Sequence, residues 1–113
     1  MKISKFHTYL ADLEPGHGTE PGKIRPVVVI QTDLLNPKHT STLICPISSR
    51  TFQGIPILRV HLAKGEAGIR EDSDILVDQV RAIDNRRFIK PIGKLTTKHQ
   101  LKLLENLQIL ILE

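Results

Sequence analysis

The sequence predicts a β-rich α+β domain, a small and strongly bent sheet or barrel closed by one C-terminal helix. Three observations carry that expectation. Apolar side chains come in short runs separated by Gly, Pro, Asn, Asp and Ser, the punctuation of strands and turns. One run, "PVVVI", is apolar at consecutive positions, as in a strand covered on both faces. Helical periodicity is confined to the final residues.

The elements follow in order. "FHTYLADL" predicts a first strand, ended by the Pro-Gly break at 15 and 16. A loop over 14–23 contains Gly16, Gly18 and Gly22, which permit backbone angles that other residues avoid. "RPVVVI" is a second strand. Pro26 lacks a ladder donor and suits only its beginning, and it biases Arg25 toward extended backbone. "DLLNP" is a turn or a single helical turn, and "STLICPIS" a third strand. "GIPILRVHL" reads as a fourth, with "GEAG" and "REDSD" as turns after it. "DILVDQVRAID" is a long fifth strand, bent or split near Asp78 and Gln79, and "FIKPIGKL" reads as a short last strand or an extended linker.

In "TTKHQLKLLENLQILIL" Leu101, Leu104 and Leu107 recur every three residues, with Leu103 and Leu110 widening the stripe. Thr96 or Thr97 is the expected N-cap. Ile109 to Leu112 are apolar all round and need cover, either from the parent domain or from a second copy.

With 113 residues the chain has room for one domain over 1–113 and one modest core. Hydrophobic residues at 40% and charged residues at 25% fit a folded globular chain and argue against disorder. No run approaches the ~20 apolar residues of a bilayer span. The opening "MKISKFHTYLADLE" meets a carboxylate before a secretory core could form, so a cytoplasmic location and no membrane contact are expected. The lone Cys45 has no internal disulfide partner and is read as a small buried hydrophobe. Sixteen Lys and Arg against twelve Asp and Glu give +4, a mild bias toward a polyanionic partner. Seven of the cations lie between Arg81 and Lys102, where they form either a solvated face or a phosphate-attracting stripe.

"YLADLEP", "GTEPGKIRPVVVIQTD", "CPISSR" and "DSDILVDQVRAID", in that order, resemble the MazF/PemK family of toxin endoribonucleases. The resemblance runs from about Tyr9 through the C-terminal helix. It implies an SH3-like barrel that pairs as a homodimer, with an RNA groove along the dimer interface. It further implies metal-independent cleavage of single-stranded RNA at a short sequence, leaving a 2′,3′-cyclic phosphate and a 5′-hydroxyl. A cognate antitoxin would cover the groove. The family's catalytic arginine falls on Arg25 in "RP", its hydroxyl residue on Ser48, and its acidic position before "Q-x-R" on Asp78. Gln79 and the loop acid Glu20 keep family positions. The chain departs from the pattern in having Ser48 where many members carry Thr, and Leu76 where some place an arginine. "FHTY" replaces the usual Gly-Asp opening, and Pro21 and Lys23 alter the loop.

The chemistry suits these residue types. In forming a cyclic phosphate the ribose 2′-hydroxyl attacks its own neighbouring phosphorus. That requires removal of a proton, stabilisation of charge on phosphorus and protonation of the 5′-oxygen. A guanidinium such as Arg25 offers a permanently charged planar fork to two phosphate oxygens. Ser48 can bond a phosphate oxygen or the attacking hydroxyl. Asp78 can act as base, orient Arg25, or pair with Arg81. His17, in the loop, can transfer protons. Base edges would be read from the loops at 14–23 and 49–54, which contribute Glu20, Lys23, Ser49, Arg50 and Phe52, with Phe52 as a stacking platform.

The five histidines show no metal-ligand spacing, so neither metal nor cofactor is expected; His61 and Cys45 are read as structural. The apolar ending "LQILILE" keeps a second reading open, a non-nuclease toxin resembling CcdB that inhibits a protein target such as DNA gyrase. A third is an RNA-binding module without cleavage.

Overall fold

The computed structural model describes residues 1–15, 18, 23–51 and 59–113. Seven strands and one helix are present among them: β1 His7–Asp12, β2 Ile24–Val29, β3 Ser41–Ser48, β4 Arg59–Leu62, β5 Ser73–Leu76, β6 Arg81–Asp84, β7 Phe88–Lys94 and α1 Thr97–Leu112. The strand order is β4-β5-β3-β2-β1-β7, the strand pairings among the described residues are antiparallel, and β6 pairs separately with β3.

β3 is the hinge of this architecture. Its first half, Ser41–Ile44, faces β6, and its last residues, Ile47 and Ser48, face Ile75 and Asp74 of β5. One strand thus serves two sheet segments, which is the expected strong bend. The predicted fifth strand divides as well. A 3-10 turn, Val77–Gln79, separates β5 from β6 where Asp78 and Gln79 interrupt the apolar pattern. Of the predicted fourth strand, Arg59–Leu62 is observed and 54–58 lie outside the described residues.

Val27, Val28 and Val29 are all fully buried, as the consecutive apolar run requires. Strand alternation sends them to two clusters. Val28 joins Cys45, Ile47, Ile75 and Leu103, whereas Val27 and Val29 join Tyr9, Ala11, Ile44 and Phe88. Tyr9 and Phe88 meet edge to face with centroids 5.2 Å apart. Gly68 is held at φ +77°, and a Cβ there would lie 1.9 Å from the Ile92 carbonyl oxygen; only glycine lets this turn touch β7.

Thr96 caps α1, its hydroxyl accepting from the His99 N–H at 3.3 Å. The buried face of the helix differs from the expected one. Leu103, Asn106 and Leu107 turn inward, while Leu101 is 62% and Leu104 39% exposed. A buried asparagine breaks the leucine count: the Asn106 side-chain amide donates to the Arg59 carbonyl at 3.3 Å and ties the helix to β4. The parent domain does not cover the C-terminal end either, since Leu110, Ile111 and Leu112 are exposed.

Candidate nucleic-acid interface

The ladder between β2 and β3 starts at Val27↔Pro46, one residue after Pro26. Two residues beyond this pair, back along β2 and forward along β3, lie Arg25 and Ser48; continuing the register would set them level on one face, just past the end of the ladder. A groove of about 930 Å³ is found there, with Lys23, Arg25, Ser48, Ser49 and Arg50 all on its wall. The loop-to-strand junction and the end of β3 are therefore brought together, as the resemblance requires of its phosphate-binding residues.

The electrostatics favour an anion. Partial burial holds the Arg25 guanidinium below the ordinary arginine range, and the neighbouring Arg50 charge pushes the same way. Glu14 offsets part of this. Exposed Lys23 and Arg50 thus stand on one groove wall with a partly buried arginine, a grouping of cations suited to an anionic ligand. Ser48 sits at the strand end with its Oγ accepting the Arg50 N–H at 3.2 Å, which orders the 48–50 turn. Arg87 donates from Nη1 to the carbonyls of Asp12 and Glu14 at 2.9 and 2.6 Å, fixing the backbone that leads out of β1.

Other assigned residues fall differently. Asp78 is exposed in the 3-10 turn, and neither it nor Gln79 is among the residues lining this groove. The Asp78 charge is felt at Cys45, a buried thiol that desolvation foremost pushes up to about 12. His17, Glu20 and Phe52 lie outside the described residues. Leu76, at the position where some family members place an arginine, is on the groove wall and buried. Three further charged residues are on the wall: Arg70 and Glu71 from the turn before β5, and Lys90 from β7. Lys90 is part of the 81–102 charge stripe, whereas the sequence marks Arg70 and Glu71 only as turn. Among the described residues no group of three His, Cys, Asp or Glu could hold a metal ion.

Residues 4–111 match the family of PemK-like, MazF-like toxins of type II toxin–antitoxin systems. The chain belongs to this family. It is 33% identical to the endoribonuclease EndoA of Bacillus subtilis over 109 residues, 96% of this chain and 94% of that protein. It is 36% identical over 90 residues to the endoribonuclease MazF of Staphylococcus saprophyticus, covering 80% of this chain and 75% of that one. The solved structure of MazF from Deinococcus radiodurans superimposes with a TM-score of 0.85 at 23% identity, covering 100% of this chain and 99% of that one, which shows the common fold. A MazE–MazF complex from the same organism gives a TM-score of 0.76 at 19% identity, covering 98% and 96% of the two chains. The MazF-type barrel with a C-terminal helix is thus the fold of this chain, and no helix among the described residues is long and apolar enough to cross a membrane.

Proposed function

We propose that this MazF-family chain is an endoribonuclease that cleaves single-stranded RNA at a short sequence without a metal, leaving a 2′,3′-cyclic phosphate and a 5′-hydroxyl. The observation that carries this reading is the meeting of Arg25 and Ser48 in one cation-lined groove at the open end of the β2–β3 ladder. Arg25 stabilises the charge that develops on phosphorus, an effect worth on the order of 3 kcal/mol for a fixed donor. Ser48 holds a phosphate oxygen or the attacking hydroxyl. Lys23, Ser49, Arg50, Arg70 and Lys90 position the strand through its phosphates, which is the role cations along a groove play in nucleic-acid binding.

A base must reach the 2′-hydroxyl within hydrogen-bond distance. The wall supplies Glu71 for this task, whereas Asp78 stands outside the lining. A cognate antitoxin is the natural partner of a toxin in this family, and the cation-rich groove suits an acidic segment of it. The exposed Leu110–Leu112 end fits a contact with a second copy of the chain.

The test is end-mapping. Purified protein is incubated with a long single-stranded RNA in EDTA and both new termini are sequenced. Discrete cuts at a recurring sequence with cyclic phosphate ends are expected. Intact RNA, or activity lost to the chelator, would overturn the proposal.

A further inference from the structure

The same face continues past Ser48 into a second groove. Ser48 is level with Asp74 on β5, and Asp74 with His61 on β4. Directly opposed residues of antiparallel strands project to one face, so the three side chains form a transverse row that continues from Arg25 and Ser48. Asp74 is 3% exposed, and its Oδ1 lies 3.0 Å from Nδ1 of His61, whose side chain is 57% exposed. An ionised carboxylate can only accept, so the shared proton belongs to Nδ1 and Nε2 is the ring nitrogen left for a ligand. A buried acid orienting an accessible imidazole is more than surface decoration needs.

The groove at this pair, about 670 Å³, is basic. Arg59 faces it from β4, and Lys98, His99 and Lys102 from α1. The acids here are Asp74 itself and Glu105, which is 3.9 Å from Lys102. His99 lies 3.8 Å from Glu66 on its other side. Thr51, three residues past Ser48, lines this groove, whereas Ser48, Ser49 and Arg50 line the first.

We propose that His61, held by Asp74 as a positioning residue, binds the RNA phosphodiester next along from the scissile one, and that this groove continues the substrate path toward α1. The inference rests on the ribonuclease reading above. Strands are spaced by about 4.8 Å, so two strand steps set His61 about 10 Å from Ser48. That is too far for both to grip one phosphate and suitable for the neighbouring one. The cations from β4 and α1 select phosphate as the ligand. With Nδ1 donating to Asp74, Nε2 can donate to a phosphate oxygen only in the protonated ring, so the contact is made by the imidazolium and is favoured by acid.

Fluorescence anisotropy with a fully 2′-O-methylated single-stranded RNA, which cannot be cleaved, tests this at pH 6 and pH 8 across a salt series. Wild-type protein should bind more tightly at pH 6. His61→Gln should weaken binding about tenfold at pH 6, remove the pH difference, and reduce the slope of log affinity on log salt by about 0.7, the value for one phosphate on a single strand. Asp74→Asn, which loses the carboxylate that orients the ring, should weaken binding in the same direction. Because Asp74 is buried, the accessible His61 variant is the decisive one should Asp74→Asn fail to fold. In cleavage assays His61→Gln should raise KM with kcat nearly unchanged. Unaltered affinity, pH dependence and salt slope in His61→Gln would overturn the proposal, as would a fall in kcat at constant KM. Absence of cleavage by the wild-type protein would instead strike the ribonuclease reading, since the binding measurement does not depend on turnover.

Discussion

Near the start of β3, the Arg86 guanidinium closes on Asp84 through Nε and Nη2, each at 3.0 Å from a carboxylate oxygen. That carboxyl falls to about 2, chiefly through the Arg86 side-chain hydrogen bond, and the arginine rises in turn. Toward the far end of β3, Arg25 has a different environment: partial burial and the Arg50 charge act against its ionised form, and Glu14 offsets only part of this. One cation is neutralised within its own turn, and the other is kept in like-charged company at a groove. The contrast is between a cation bound into its own turn and one beside a like charge on a groove wall, where the proposed phosphate site lies.

The largest effect should come from breaking that second end. Arg25→Ala is expected to lower kcat by about 10²–10³-fold, the cost of one donor to a developing oxyanion. Its melting temperature should stay within about 3 °C of wild type, because substitutions outside the core change stability little. Arg25→Lys should recover part of the rate, since it keeps the charge and loses the fork. Cleavage assays beside thermal melts by circular dichroism check both. A collapse of stability along with activity would make Arg25 structural.

Ser48→Ala should cost less, about tenfold in kcat/KM, in line with one hydrogen bond to a charged group. It also removes the acceptor for the Arg50 N–H, so its effect should overlap with that of Arg50→Ala rather than add to it. A double-mutant cycle on cleavage rate sharpens the comparison: strictly additive losses would mean that Ser48 acts apart from the cationic turn.

The strands were legible in the sequence wherever a local signal sufficed. "STLICPIS" is β3 to the residue, and the break at Val77–Gln79 falls where Asp78 and Gln79 interrupt the pattern. α1 was legible as an element but not as a face, because counting leucines cannot anticipate that Asn106 is buried against the Arg59 carbonyl while Leu101 faces solvent. The site was half legible. Arg25 and Ser48 carry motif signals, whereas Arg70 and Glu71 join them only through the turn that leads into β5. The His61–Asp74 pair spans 13 positions and depends on the β4–β5 register, which no short-range spacing encodes. Contacts set by register require the sheet to be known first.

The smallest expected effect lies at the neutralised end, and its sign follows from the carboxyl. Asp84 titrates at about 2 in the folded chain, below the ordinary carboxylate value of about 3.9. A depressed folded value means that the unfolded chain binds the proton more readily, so the ionised pair stabilises the fold above about pH 4. That contribution disappears as pH falls through about 2. Asp84→Asn should therefore be slightly less stable than wild type at pH 5, with the gap closing between pH 4 and pH 2 in urea melts. Added salt at pH 5 should narrow it too, because the pair is exposed and screened. RNA cleavage at neutral pH should not change. A cleavage defect in Asp84→Asn comparable to that of Ser48→Ala would show that the two ends of β3 are not the separate electrostatic regions described, and that the Asp84–Arg86 turn also faces the substrate.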